Sequence, residues 1–315
     1  SFQLGLELGM KSIPSNTKFE YQLITEDDQL NPAKVASAVQ KLINQDAAHS
    51  IISTWSYGGN VVAPLLKEKS IPHLAVAWDP NILTYGNNNF LNLLSPKQFL
   101  PDFFRVFNSK GYKKVALIYF AEAGSVYCGK LFKDLAAAEG IEVVMEEELT
   151  ADTDLKTIAL KFKNSNPEII FANLVGSQLE VFIKNLKAID FKNPITTMTG
   201  FDLMSDLNVA EGFWFISDSS PKSLILDPKE SSYGLGNFYD YIKIIVQAHE
   251  SWEGAGVPSG EWVSNYLNQT ATFPSAFGTV RFLERTAVYD SRYYQIINGQ
   301  KVESTLEELI STKIN

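Results

Sequence analysis

The sequence predicts an α/β protein of two lobes, each cored by a parallel sheet, and three observations carry that prediction. Residues 50–76 run strand, loop, helix, strand, which is one βαβ unit whose two loops emerge at the carboxyl edge of the sheet. At Gly111 the alternation of apolar runs and helical spacing starts afresh and continues to Asp202. A chain of 315 residues is long for one α/β domain and comfortable for two, each with its own core.

In the first lobe, residues 1–11 read as a helix with Phe2, Leu4, Leu6 and Leu8 partly buried. Residues 19–25 read as a strand running into Glu26-Asp27-Asp28. Asn31 is suited to cap the next helix and Pro32 to its first turn, after which Val35, Val39, Leu42 and Ile43 fall on one face. Residues 50–54 are β-rich, 55–60 form a polar, glycine-bearing turn, and 61–69 have helical spacing through Val61, Val62, Leu65 and Leu66. A second buried strand, 74–76, ends at Trp78-Asp79-Pro80. Residues 90–94 are apolar, Ser95-Pro96 is another cap-plus-proline start, and 97–109 form a helix carrying Phe99, Phe103, Phe104 and Phe107.

The second run begins with a buried strand at 115–120, a loop at 121–127 and a helix at 128–139 that stops at Gly140. Strands follow at 141–145, 168–172 and 195–198, with helices at 155–164 and 177–189 between them. The last of these strands leads into Thr199-Gly200-Phe201-Asp202. After a strand at 213–217 comes an irregular, proline-containing connection over 218–230, then helices at 236–253 and 260–269. Strands at 278–283 and 293–297, with a hairpin turn at Asn298-Gly299, and a short helix at 303–312 close the chain. There is no low-complexity tract and no repeat of 20–50 residues.

Composition excludes several classes. The hydrophobic fraction, 45%, is that of an ordinary globular protein, and a net charge of −9 without a basic run argues against a nucleic-acid partner. No apolar stretch reaches the roughly 18 residues of a membrane helix. The single cysteine, Cys128, excludes an internal disulfide; at a helix start its thiolate pKa is open to lowering. No leader segment is recognisable, which fits a cytosolic chain or one already processed. His49, His73 and His249 lack an i, i+4 partner, and no serine elbow, phosphate loop or zinc-helix motif occurs. The run Glu146-Glu147-Glu148 reads as a solvated loop. No cofactor and no metal are expected.

What the strand-end loops carry is binding chemistry. Ser56 offers a hydroxyl and, with Tyr57 and Gly58, backbone N–H groups at a helix start, a ready carboxylate site; alternatively Ser56 only caps its helix. Asp79, before Pro80, binds ligand or caps a turn. Trp55, Tyr57 and Trp78 cluster in two facing loops and suggest an aromatic wall. In the other half Tyr127 and Asp202 lie just past strand ends and are expected to face the same crevice. Carboxylate on Ser56 and ammonium on Asp202 would suit a zwitterion.

Taken in order, Thr25-Glu26-Asp27-Asp28, Asn31-Pro32, Ala38, Lys41-Leu42-Ile43, the Ser56 loop and Ser70-Ile71-Pro72 resemble the type I periplasmic binding proteins. The likeness is to their leucine/isoleucine/valine-binding branch of ABC-transporter receptors. It continues through residues 115–119 with Tyr127, Asn166-Pro167-Glu168-Ile169-Ile170, Gly200-Phe201-Asp202 and Phe277-Gly278-Thr279-Val280-Arg281-Phe282, so it covers nearly the whole chain from about Phe19.

That resemblance implies two Rossmann-like lobes joined by a three-segment hinge and closing on a small ligand. By order, residues 1–94 with 219–282 form lobe 1, and 95–218 with 283–315 form lobe 2. It implies Ser56 on the ligand carboxylate, Ala77, Trp78 and Asp79 on carboxylate and amine, Tyr127 packed on the ligand, and Asp202 on the ammonium. The implied role is a non-enzymatic, monomeric solute receptor, periplasmic or extracellular with or without a lipid anchor, that serves a membrane ABC permease. Its ligand would be an amino acid or a related carboxylate. The alternatives are the ligand-sensing domain of a membrane receptor and a binder of an amine-free aromatic acid or amide. Two departures stand out. The family's first strand and its loop have no counterpart before Ser1, and Trp78 or Asp79 and Val175 replace typical pocket residues of the branched-chain binders.

Overall fold

Local chemistry decides where several helices begin. Asn31, Glu122, Asp154 and Ser259 each accept a backbone N–H from the first turn of the helix they precede. The computed structural model describes residues 2–29, 31–150, 152–218, 224 and 234–311. The chain divides into two units, unit 1 of Ser1–Ser95 and Ser220–Asp290, and unit 2 of Pro96–Ser219 and Ser291–Asn315.

Unit 1 opens with α1 (Phe2–Lys11), α2 (Pro32–Asn44), β1 (Ile51–Thr54), α3 (Trp55–Leu66), β2 (His73–Val76) and β3 (Asn89–Leu91). Unit 2 follows with α4 (Pro96–Lys110), β4 (Lys114–Phe120), α5 (Ala123–Ala138), β5 (Glu142–Leu149), α6 (Leu155–Ser165), β6 (Ile169–Asn173), α7 (Gly176–Ala188), β7 (Ile195–Met198) and β8 (Trp214–Ser217). Back in unit 1 come α8 (Leu235–Glu250), α9 (Gly260–Gln269), β9 (Phe273–Ser275), β10 (Gly278–Leu283) and β11 (Thr286–Val288). Unit 2 ends with β12 (Arg292–Ile297), β13 (Gln300–Ser304) and α10 (Leu306–Ser311).

Each unit is α/β, as the sequence predicts. Unit 1 has the strand order β1-β2-β3-β11-β10-β9, with β1, β2, β3 and β11 parallel and β10 and β9 antiparallel. Unit 2 has the order β13-β12-β8-β7-β6-β4-β5; β5, β4, β6, β7 and β8 are parallel, and the β12–β13 hairpin is antiparallel. Asn298 (φ 53°) and Gly299 (φ 65°) turn that hairpin in the left-handed conformation a two-residue turn demands. An aromatic core fills unit 2: the Phe103 ring lies 5.0 Å from Phe171 and 5.1 Å from Trp214, and Phe132 stacks on Phe171 at 4.8 Å.

Several expectations are corrected. Residues 19–25, expected as a strand, form no strand and pair with none among the described residues. Between them and β1 opens a recess of about 890 Å³, lined by Phe2, Leu6, Leu23, Ile24, Ile52 and Tyr241 among others. A strand without a neighbour on its hydrogen-bonding side has nothing to ladder with, whatever its side-chain pattern. Helix α3 starts at Trp55, so the expected turn over 55–60 is its first turn and a half. Helix α5 starts at Ala123, capped by Glu122, which shortens the expected loop and puts Tyr127 inside the helix. Cys128 is therefore fully buried, and burial pushes its thiol pKa up rather than down. Glu146, Glu147 and Glu148 belong to β5, where Glu146 accepts from Tyr119 and pairs with Lys133 and Glu147 pairs with Lys161. Residues 283–290, expected in lobe 2, belong to unit 1, because β11 pairs with both β10 and β3. The expected connection over 218–230 lies outside the described residues except for Asp218 and Leu224.

Candidate ligand site

In unit 1 the parallel register Thr54↔Val76 brings the ends of β1 and β2 to one sheet edge, so the loops that follow are neighbours. The chain enters α3 through Trp55 at φ +62°, a left-handed conformation that a bulky residue adopts only under constraint. Thr54 holds the N-cap position without a side-chain cap bond. Ser56 is thus inside the helix, and the capping role left open for it does not apply. Its side chain joins the two loops: the backbone N–H groups of Trp78 and Asp79 both donate to Ser56 Oγ at 3.3 Å. Ser56 is 2% exposed, and among the described residues its own O–H donates to no acceptor. The Ser56 hydroxyl therefore lies at the start of α3, the end of a helix that favours an anion.

The other unit 1 candidates divide. Ala77 is buried beside this junction. Trp78 is half-buried and donates its indole N–H to the Leu94 carbonyl at 2.9 Å, which fixes the ring. The Asp79 carboxylate is spent on structure, accepting from Asn60 Nδ2 at 2.6 Å and from Asn81 N at 3.0 Å as the cap of the 3-10 turn Pro80–Tyr85. Tyr57 packs against the Val35, Val39 and Val62 cluster and donates to Asp28, while Trp55 is half-buried.

In unit 2, β4, β6, β7 and β8 run parallel, so Phe120, Asn173, Met198 and Ser217 end at one edge. Tyr127 is half-buried in the second turn of α5. Asp202 lies in the 3-10 turn Gly200–Leu203, entered through Thr199 at φ +56°. Its side chain is 1% exposed and already matched: one oxygen pairs with Lys301 of β13 and the other accepts from Ser217 Oγ. Lys301 also sits over the Tyr294 ring, 4.7 Å from its centre.

Two polar groups at this edge are absent from the sequence-based candidates. Asp218, the first residue after β8, is 2% exposed, and among the described residues neither carboxylate oxygen has a hydrogen-bond partner. Burial, and then the negative charge of Asp202, push its pKa up to about 7. At the end of β6 the buried Asn173 Nδ2 is likewise unpartnered. The available signal was position: both residues close or follow a buried apolar strand, the same criterion that selects Asp202. Among the described residues no group of three or more His, Cys, Asp or Glu is placed to hold a metal ion.

Two α/β units, each built on a mixed sheet with polar loops at its strand ends, are linked by three chain passages. Residues 14–221 match the family described as periplasmic binding protein, and the chain belongs to that family, in its type I, leucine/isoleucine/valine-binding-like form. Among solved structures it is similar to a benzoate-bound solute-binding protein of an ABC transporter from R. palustris. That likeness has 18% identity, 96% of this chain and 89% of that chain covered, and a TM-score of 0.83. It is also similar to a leucine-binding protein of Thermotoga maritima (16%, 96% and 92%, TM-score 0.81). A third is the isoleucine-bound branched-chain amino-acid transporter substrate-binding protein of Streptococcus pneumoniae (16%, 96% and 94%, TM-score 0.78). No curated protein sequence matches the chain. The family consists of binding proteins, and membership implies an extracytoplasmic location. No helix among the described residues is long and apolar enough to cross a membrane.

Proposed function

We propose that this chain is the solute-binding component of an ABC transporter and captures a small carboxylate-bearing solute, an amino acid first among them. The observation that carries the reading is the Ser56 hydroxyl, buried at the start of α3, its acceptor side filled by two N–H groups and its proton unspent. A carboxylate oxygen is the complement of such a donor set. Benzoate, leucine and isoleucine, the ligands named for the similar structures, share little beyond a carboxylate, which supports the same conclusion. Trp55 and the fixed Trp78 ring would then give the ligand body its apolar contact. In this reading the protein binds and releases its solute unchanged and hands it to a membrane permease.

Isothermal titration against leucine, isoleucine, phenylalanine and benzoate, with Ser56→Ala beside the wild type, tests it. A hydrogen bond to a charged group contributes about 1.5–3 kcal/mol. The variant should therefore bind about 10- to 150-fold more weakly; because the Trp78 and Asp79 N–H groups lose their acceptor it should also melt lower, so affinity is compared at a temperature where both proteins are folded. A Ser56→Ala protein that binds as tightly as wild type would remove the carboxylate anchor, and chemical turnover of a bound solute would remove the receptor role.

A further inference from the structure

The sequence points to Asp202 as the ammonium acceptor, but the geometry of unit 2 gives that carboxylate a cation of its own. Lys301 lies on one oxygen and Ser217 donates to the other, and the side chain is 1% exposed. A ligand ammonium would have to displace Lys301 or share Asp202 with it. One residue past Ser217 stands a second carboxylate in the opposite condition. Asp218 is 2% exposed, with both oxygens buried and neither bonded to any of the described residues.

Native proteins rarely leave a buried carboxylate in that state, because an ion out of water needs a counter-charge and hydrogen-bond donors together. The missing complement is a compact cation rich in N–H. A metal ion is a poor fit, since it would need more acidic or imidazole ligands than the described residues gather. We propose that Asp218 is the residue of unit 2 that receives the ammonium of an amine-bearing solute, while Asp202 is the neighbouring carboxylate already neutralised by Lys301. The inference rests on the solute-receptor reading.

The chemistry makes Asp218 a specificity residue as well as a contact. A primary ammonium offers three donors to two acceptor oxygens, and low surrounding dielectric strengthens each bond. An amine-free acid offers none, so selection works through a bond that the amine alone can make. Burial and the nearby Asp202 charge hold Asp218 near its point of ionisation at neutral pH. An arriving ammonium then favours its ionised form. The unpartnered Asn173 amide, at the end of β6 on the same sheet edge, is a donor and does not compete for a cation.

The test is calorimetry at pH 8 with matched pairs that differ only in the amine: leucine against 4-methylpentanoate, and phenylalanine against 3-phenylpropanoate. For wild type the amine-bearing member should bind and its partner bind more weakly. Asp218→Asn should weaken the amine-bearing member by about 30-fold or more and change its partner by less than threefold. If Asp218→Asn keeps the amino acid within threefold of wild type, the assignment is wrong. Wild type that binds only the amine-free acids also overturns it and leaves the receptor reading intact. Wild type that binds no member of either pair and no benzoate removes both. Should the variant fold poorly, the ¹³Cγ resonance of Asp218 in wild type replaces it. Saturation with the bound amino acid should lower its titration midpoint by about one unit or more, and an unmoved midpoint overturns the proposal.

Discussion

The two sheets of this protein are made of similar sequence material and end very differently. In unit 2 seven strands ladder without interruption, and the aromatic side chains of α4, β6 and β8 close over them. In unit 1 the ladder stops at β1, and beyond it lie a recess of about 890 Å³ and the run 19–25, which has no partner strand among the described residues. An apolar, β-branched segment has strand potential, and it becomes a strand only where a second backbone meets its hydrogen-bonding edge. The sheet edges differ too. Around Ser56 in unit 1 the carboxylate present, Asp79, is consumed by Asn60 and Asn81. In unit 2 one carboxylate is matched and the next, Asp218, is not.

The largest effect separating the units should be in packing. Phe103→Ala deletes a ring with zero exposure that touches Phe99, Phe107, Phe171 and Trp214. It should cost about 3–5 kcal/mol by denaturant titration. Leu23→Ala trims a half-buried side chain facing the recess, where few packed atoms are lost, and should cost under about 1 kcal/mol. Similar costs at the two positions would mean that the recess is filled in solution.

A smaller effect separates the two acidic edges by pH. The Asp218 carboxyl ionises near pH 7 in the folded chain and near 4 when unfolded. Between those values the native state holds a proton that the unfolded state has released. Stability contributed by this group is therefore full below about pH 4 and lost as pH rises toward 7. Asp240 in unit 1, raised to about 7 by burial, adds to the same slope. His73 opposes it: buried between Ser53 and Asn89 and lowered to about 4, it withdraws stability as pH falls through the interval below 6.5. The wild-type curve mixes all three, so the informative quantity is a difference. Asp218→Asn should be more stable than wild type by on the order of 2 kcal/mol at pH 8, and the gain should vanish by about pH 4. A gain independent of pH would place the effect in packing and not in the charge.

Much of the fold was legible because it is local. Helices with a side-chain cap, such as α2 behind Asn31, and buried runs such as Ile169–Asn173 announce themselves within a dozen residues. The same rule points to the residues that follow strands: Ser56, Ala77, Trp78, Asp79 and Asp202 come just after β1, β2 and β7, whereas Tyr127 lies within α5. What could not be read depends on contacts distant in sequence. Lys301 reaches Asp202 across 99 positions, and nothing near Asp202 signals that its charge is matched. The start of α5 at Ala123 hid Tyr127 and Cys128 inside a helix, because Glu122 capped a turn earlier than the loop residues suggested. Asp218 opens an irregular, proline-containing segment of the sequence, and nothing local to it signals that it is buried.

The last contrast is the smallest in free energy and tests the comparison most directly. Protection from amide exchange requires a backbone hydrogen bond that opens rarely, and its free energy runs from near zero to the global value. The amides of β6 are bonded into ladders on both sides, to β4 and β7, in the middle of the unit 2 sheet. Among the described residues, those of Gln22, Leu23, Ile24 and Thr25 donate to no backbone acceptor, although Tyr21 just before them is tied through its hydroxyl to Glu250. Hydrogen–deuterium exchange should therefore show Ile170 and Phe171 among the slowest amides and residues 22–25 with opening free energies near zero, within about 1 kcal/mol. Slow exchange at 22–25 would show that an acceptor lines the recess in solution, and the contrast between a complete and an interrupted sheet would then fail. Fast exchange in both places would instead mean that unit 2 opens as readily as unit 1, which its aromatic core argues against.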